Sequence, residues 1–248
     1  ADLTMIRSNL FSALALTALT SGALAQDFQT GEPIGSVNEQ GVRVPMSSNV
    51  KVYGSFHFSE SCTFDPERNL ILAMNNGNRG DGTENDGFVS LINPDGVTRD
   101  GLELHHPLGS AIAGGVLYTV DVGYMRSFDL ETGQPLRAVE IPGSTVLNGI
   151  GVTADGTAYI SNTRSPEVIY KVTPSGEVST FADGAPLAAP NGVAIDNDGN
   201  IVVVNIGDNA VLTYNPAGEV IRTEYAAEGG NDGVVVLPDG TKYVSSVR

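Results

Sequence analysis

A sequence unit of about 40 residues recurs along this chain, and that period is the strongest constraint on its fold. The stretch LNGIGVTADGTAYISN, residues 147–162, returns as PNGVAIDNDGNIVVVN at 190–205 and as NDGVVVLPDGTKYVSS at 231–246. Each copy carries Asn-Gly or Asp-Gly at its second position, before an apolar run, an Asp-Gly turn and a second apolar run. Any fold proposed for the chain must therefore explain a polar residue and a glycine at a fixed place in every unit.

Each unit contains four short apolar or alternating runs, separated by turn signals such as Asp-Gly, Asn-Pro and Pro-x-Gly. Runs such as AYISN and IVVVN are rich in β-branched residues and too short for helices, so they predict strands. Four antiparallel strands in a repeat of this length are typical of a propeller blade. A two-sheet sandwich is the alternative, but it does not explain the long period. The sequence therefore predicts an all-β propeller with four-stranded blades.

The N-terminus has the composition of a secretory signal. MIRSNLFSALALTALTSGALAQ, starting at Met5, combines a basic residue, an apolar stretch and a small-x-small cleavage site near Ala25–Gln26. We expect residues 1–25 to be upstream residues and signal peptide, 26–58 an N-terminal segment that could supply a closing strand, and 59–248 the propeller. The sequence thus predicts a chain exported to the periplasm or the cell exterior.

Charge excludes one class of partner. The net charge is −16, with 13 lysines and arginines in 248 residues, which is unsuited to nucleic-acid phosphates. Beyond the signal, no apolar run is long enough to span a membrane.

The single cysteine, Cys62, forbids an intramolecular disulfide, and we expect it to be a buried packing thiol.

The repeated polar residues are predicted to meet. In a propeller, the first strand of each blade lines the central channel, so equivalent positions converge at one mouth. Counting back from the clear repeats, these positions are Glu60, Leu108, Asn148, Asn191 and Asp232. Two carboxylates and two amide carbonyls form an oxygen-only set, which suits one hard divalent cation, with calcium first and magnesium, manganese or zinc after it. Turn formation alone is the competing explanation of a single Asn-Gly or Asp-Gly.

The order Glu, none, Asn, Asn, Asp across successive units resembles the family of senescence marker protein, gluconolactonase and luciferin-regenerating enzyme. That resemblance implies a six-bladed propeller, of which this chain would hold about four and a half blades and be truncated at its C-terminus. It also implies a metal bound by Glu60, Asn148, Asn191 and Asp232, and hydrolysis of a small lactone. Asp232 would be the catalytic general base or the orienting carboxylate, because an amide cannot accept the proton.

Other polar residues receive weaker predictions. Asn75, Asn162 and Asn205 end second strands, where they could support the ligands, touch substrate or simply cap the strand. The loop from Asn75 to Gly87 is expected to be a lid over the mouth. The three histidines, His57, His105 and His106, are expected on the surface or in packing positions.

Two other functions compete with a metal-dependent lactonase. A non-catalytic exported propeller could serve as a binding or scaffold module, since one fold hosts many functions. A propeller of the strictosidine synthase type would need no metal, but the pair Asn148 and Asn191 argues against it. The sequence does not indicate an oligomeric state.

Overall fold

The computed structural model describes residues 56–77, 86–93 and 96–247, together with residue 40 and four short strands between residues 32 and 52. The predicted signal peptide, and residues 78–85 of the predicted lid, lie outside the described residues. No helix is found among the described residues, and so no helical membrane span is found there.

The N-terminal segment contributes two small sheets. Strand β1 pairs with β4, and β2 pairs with β3. Their bounds are β1 (Glu32–Pro33), β2 (Gly35–Val37), β3 (Arg43–Pro45) and β4 (Lys51–Val52). These strands pair with one another, and none of them pairs with a strand of the repeat region in the part of the chain that the structure describes.

Four consecutive antiparallel sheets follow, each with four strands in chain order, and we call them the first to fourth blades. The first blade is β5 (Ser59–Asp65), β6 (Leu70–Asn75), β7 (Gly87–Asn93) and β8 (Gly96–Leu104). The second is β9 (Pro107–Ala113), β10 (Val116–Asp121), β11 (Tyr124–Asp129) and β12 (Pro135–Glu140). The third is β13 (Leu147–Val152), β14 (Ala158–Asn162), β15 (Val168–Val172) and β16 (Val178–Asp183).

The fourth blade is β17 (Pro190–Ile195), β18 (Ile201–Asn205), β19 (Ala210–Tyr214) and β20 (Val220–Tyr225). After the four blades comes a two-stranded sheet of β21 (Asn231–Val236) and β22 (Lys242–Ser246). We call it the fifth sheet, because it is the fifth in order within the repeat region. The predicted all-β propeller with four-stranded blades is therefore confirmed, with four blades and a two-stranded fifth sheet among the described residues.

The apolar core lies between neighbouring blades. Successive residues of a strand point to opposite faces of its sheet, so a middle strand packs on both neighbours. In β18, Ile201 and Val203 pack against the third blade, whereas Val202 and Val204 pack against the fifth sheet. Strands β14, β18 and β19 are buried along their whole length, whereas the outer strands β12 and β20 are mostly exposed. Burial on both faces explains why IVVVN is apolar at consecutive positions instead of alternating.

The repeated glycine permits close contact between inner strands. A Cβ atom on Gly149 would lie 2.2 Å from the carbonyl oxygen of Asn191 in the next blade. The same addition at Gly109 would approach the Asn148 carbonyl oxygen to 2.3 Å, and at Gly192 the Asp232 carbonyl oxygen to 2.7 Å. Because only glycine lacks this atom, each inner strand can pack its backbone directly on the next one. The glycine of the repeated dipeptide thus has a structural explanation.

We predict that Gly149→Ala destabilises the protein by about 1–3 kcal/mol, because the methyl group must displace a backbone carbonyl rather than a flexible side chain. Gly123→Ala is the matched control, since a Cβ there would meet only the Ser144 hydroxyl oxygen, at 3.8 Å. Thermal unfolding of both variants checks this. Equal melting temperatures for the two variants would contradict the packing argument.

Candidate functional site

A cavity of about 420 Å³ lies among the inner strands of all five sheets. The four predicted ligands, Glu60, Asn148, Asn191 and Asp232, all line this cavity. They come from the first, third and fourth blades and from the fifth sheet, so the fold brings together side chains that are far apart in the sequence. Leu108, the equivalent residue of the second blade, packs instead against the core between the second and third blades.

A β-bulge lies at each of these positions. In the third blade, Leu147 pairs with Asn162 and Ile150 pairs with Ile160, so two inner-strand residues, Asn148 and Gly149, face one partner residue. The pairing is interrupted at the equivalent place in the other three blades, including at Leu108 in the second, and in the fifth sheet. A bulge breaks the strict alternation of a strand and redirects a side chain. In four of the five sheets the residue in the bulge is polar and lines the cavity, whereas the bulged Leu108 packs against the core.

Asn191 and Asp232 form a hydrogen-bonded pair across two sheets. The side-chain amide of Asn191 donates from Nδ2 to Oδ1 of Asp232 at 3.0 Å. Asn191 is buried, whereas Asp232 is partly exposed to the cavity. The bond orients the carboxylate and uses a hydrogen of the amide, which leaves the amide oxygen as a further acceptor. The pair therefore presents oxygen atoms from both residues.

Glu60 is the residue of the site whose pKa is shifted from its ordinary value. Its side chain is open to solvent at the cavity, yet the surrounding walls exclude much of the bulk water. This desolvation, followed by repulsion from the negative charge of Asp232, raises the pKa of Glu60 to about 7 from an ordinary 4.5. Glu60 and Asp232 thus repel each other in the cavity at neutral pH, and a bound cation would relieve that repulsion.

The raised pKa of Glu60 has a consequence for stability that can be tested in the presence of a chelator. Between about pH 4.5 and 7 the unfolded chain loses this proton while the folded protein keeps it, so stability falls as the pH rises. Glutamine at this position does not titrate. We therefore predict that Glu60→Gln melts at a higher temperature than the parent protein at pH 8 and at a similar temperature at pH 4.5.

Glu177→Gln is the control for this experiment, because Glu177 is exposed in the turn between β15 and β16, outside the cavity lining. Its melting temperature should follow that of the parent at both pH values. A melting-temperature difference between Glu60→Gln and the parent that stays constant with pH would contradict the assigned pKa.

The chemistry of the cavity lining narrows what it can bind. No group of three or more His, Cys, Asp or Glu side chains with metal-binding geometry occurs among the described residues. The four predicted ligands are two carboxylates and two amides, a set that offers oxygen donors only, while the Cys62 thiol lines the cavity beside them. Such a set fits Ca²⁺ or Mg²⁺ better than a metal that prefers nitrogen or sulfur.

The three strand-end asparagines lie away from the cavity lining and hold the segments that lead into the inner strands. Asn162 is fully buried, and its Oδ1 accepts hydrogen bonds from the backbone of Thr145 and Val146 at 2.8 and 2.9 Å. Asn75 accepts one from the backbone of His57 at 2.8 Å. Asn205 donates to the Pro186 carbonyl oxygen at 3.0 Å. These contacts match the strand-capping explanation, and none of the three residues is among those that line the cavity.

In the second blade, a carboxylate occupies the strand-end position that an asparagine holds in the first, third and fourth blades. Asp121 is fully buried and accepts hydrogen bonds from the backbone N–H groups of His105 and His106. Its charge is paired with Arg126, whose Nε lies 2.8 Å from Oδ2. His105 and His106 are half-buried, His57 is exposed, and none of the three lines the cavity. The histidines therefore hold the positions expected for surface or packing residues.

Cys62 corrects one expectation. The thiol is not buried in the core but exposed, and it lines the cavity two residues after Glu60. Glu60, Cys62 and Phe64 alternate along β5 and are all exposed, so Cys62 lies on the same face of the strand as Glu60. Between them, Ser61 takes the place of the repeated glycine, and its hydroxyl donates to the Leu108 carbonyl oxygen of the next blade at 2.6 Å.

Sequence reasoning missed the hydroxyl groups that support the inner strands. Ser161 on β14 is fully buried and bonds to the bulge of its own blade and to the inner strand of the next blade. The available signal was weak, because Ser161 stands in an apolar run, AYISN, where a single serine does not disturb the strand pattern.

Comparison with known proteins identifies the family. Residues 59–229 match the family described as SMP-30/gluconolactonase/LRE-like region, which is more than half of the chain. The chain belongs to this family. A search of curated proteins finds no match.

Solved structures share the fold at low sequence identity. A gluconolactonase from Xanthomonas campestris is 13% identical, with a TM-score of 0.62 over 79% of this chain and 71% of that one. A putative gluconolactonase is 21% identical, with a TM-score of 0.58 over 77% of this chain and 72% of that one. A chain of a nidogen/laminin complex is 16% identical, with a TM-score of 0.64 over 82% of this chain and 81% of that one. At these identities the likeness shows the fold alone.

Proposed function

We propose that this family member is a divalent-metal-dependent hydrolase of lactones. The observation that carries the proposal is the convergence of Glu60, Asn148, Asn191 and Asp232 from four sheets on one cavity. Membership of the SMP-30/gluconolactonase/LRE-like family favours this reaction class. A propeller acting only as a scaffold has no need to place two carboxylates in one cavity where they repel each other.

The four residues would hold the cation with a fitting balance of charge. Glu60 and Asp232 supply two negative charges, and Asn148 and Asn191 supply neutral oxygen atoms. We propose calcium first, with magnesium, manganese or zinc as alternatives, because all four donors are oxygen. When bound, such a cation supplies Lewis-acid polarisation of an ester carbonyl.

Asp232 is the residue we assign to proton transfer. Its carboxylate is oriented by the hydrogen bond from Asn191, and a carboxylate can accept a proton whereas an amide cannot. In the proposed reaction, a water oxygen bonds to the lactone carbonyl carbon and Asp232 takes the proton that the water releases. The ring C–O bond then breaks and the ring oxygen takes up a proton, which leaves an open hydroxy acid.

The alternative is a non-catalytic exported propeller that acts as a binding or scaffold module. Its surface would bind a partner without turnover, and the cavity residues would then be dispensable for that function.

Export itself is also part of the proposal, on the composition of residues 1–25. N-terminal sequencing of the secreted protein tests it, with Gln26 as the expected first residue.

Cation binding should stabilise the protein. We predict that calcium, added after chelator treatment, raises the melting temperature in a saturable way, since a ligand of the folded state alone at 100 times its Kd adds about 2.7 kcal/mol. Asn191→Ala should lose the shift. Asn197→Ala, in the exposed turn between β17 and β18, should keep it. A melting temperature of the parent protein that does not respond to any of the four cations would contradict the metal site.

Removal of the Asp232 carboxylate should abolish catalysis while leaving the fold intact. We predict that Asp232→Ala lowers the rate of lactone hydrolysis by roughly 10²–10⁴-fold, measured as acid release, with an unchanged β-type circular dichroism spectrum. Asp198→Ala, in the same exposed turn as Asn197, is the control and should hydrolyse the lactone at the parent rate. Full activity of Asp232→Ala would exclude the assigned role, and no lactone hydrolysis by a cation-loaded parent protein would favour the binding module.

A further inference from the structure

Ser161 links the two blades that carry the asparagine ligands. It lies on β14, the second strand of the third blade, and its side chain is fully buried. Its Oγ accepts a hydrogen bond from the backbone N–H of Gly149 at 2.8 Å, and it donates to the backbone carbonyl oxygen of Asn191 in the fourth blade. The Gly149 carbonyl oxygen lies 3.4 Å from the same hydroxyl.

Both partners are next to candidate ligands. Gly149 directly follows Asn148 inside the bulge, and the accepting carbonyl belongs to Asn191 itself. One hydroxyl group therefore fixes the backbone at both asparagines. Without it, a buried N–H and a buried carbonyl would each lose a hydrogen-bond partner at the point where the two inner strands meet.

The other sheets do not repeat this arrangement. The residues at the equivalent position of the second strand are, in sheet order, Met74, Val120, Ser161, Val204 and Ser245. Among these five described positions, the second hydroxyl is that of Ser245, which accepts a hydrogen bond from Gly233 of its own sheet at 2.8 Å. Apolar residues at three of the five positions show that the fold does not require a serine there, so a special local reason is needed for Ser161.

We infer that Ser161 is a positioning residue that holds Asn148 and Asn191 at the spacing needed to bind one cation together. This inference rests on the proposed function, because it concerns the same site. The hydroxyl is not among the groups that line the cavity, so it would not touch a cation or substrate bound there. It acts through the two inner-strand backbones, as groups behind metal ligands do when they fix ligand orientation.

The test compares cation affinity with intrinsic stability in Ser161→Ala and Val204→Ala. Val204 occupies the equivalent position in the fourth blade and is also buried, so its truncation removes core packing but no hydroxyl contact to the inner strands. Calcium affinity is measured by calorimetric titration of the whole chain after chelator treatment, and the melting temperature is measured in chelator. Ser161→Cys, close to serine in volume and a weaker donor, provides a second variant if Ser161→Ala does not fold.

We expect Ser161→Ala to bind calcium about 10–100-fold more weakly than the parent protein, as is usual for loss of a group that orients metal ligands. Val204→Ala should lower the melting temperature in chelator yet keep the parent affinity, and Ser161→Cys should lie between Ser161→Ala and the parent. Parent-like affinity in Ser161→Ala, or an equal loss of affinity in both alanine variants, would overturn the inference while leaving the metal site intact. No calcium binding by the parent protein would instead overturn the metal site, and the role of Ser161 with it.

Discussion

Backbone-to-backbone contact between neighbouring inner strands is the constraint on which the site depends. At Gly109, Gly149 and Gly192, a single added carbon would collide with the carbonyl oxygen of the next blade. The strands can approach this closely only because the position has no side chain, and the preceding residue is thereby brought within reach of its counterparts in other blades. At Asn148-Gly149 and Asn191-Gly192 the same dipeptide therefore serves both requirements, since the glycine allows the close approach of the strands and the polar residue before it lines the cavity.

The site also concentrates negative charge where the protein gives little to offset it. Asp121, buried in the second blade, is paired with Arg126, so that carboxylate is neutralised inside the structure. Glu60 and Asp232 receive no such partner among the residues that line the cavity, which include no lysine, arginine or histidine. Instead, desolvation and mutual repulsion raise the pKa of Glu60. A pair of carboxylates left in this state is suited to an external cation, whereas a purely structural pair would be expected to carry its own counter-charge.

The sequence predicts the architecture well, and part of the site, for a physical reason. The repeat period, the turn residues and the β-branched runs are local properties, so they reveal the strands and their grouping into blades. Equivalent positions in a closed repeat meet around one axis, which is why Glu60, Asn148, Asn191 and Asp232 could be placed together from their spacing alone. Hydrogen bonds between blades leave no periodic trace, so the roles of Ser61 and Ser161 needed coordinates. Cys62 was misplaced because the sequence pattern does not show whether another strand covers the face of β5 on which Glu60, Cys62 and Phe64 lie.

Bulges also explain why one residue type has two roles in the same unit. Asn148 and Asn162 lie on the two strands of one β-hairpin, both at its open end, where Leu147 pairs with Asn162. Asn162 is the last residue of the regular strand β14, and its amide oxygen accepts hydrogen bonds from the backbone that leads into the inner strand. Asn148 sits within the bulge, and its polar side chain lines the cavity. The position of Asn148 depends on Asn162, because Asn162 fixes the backbone of Thr145 and Val146, which ends two residues before Asn148. A change at Asn162 should therefore reach the cavity through the backbone, although its side chain never faces it.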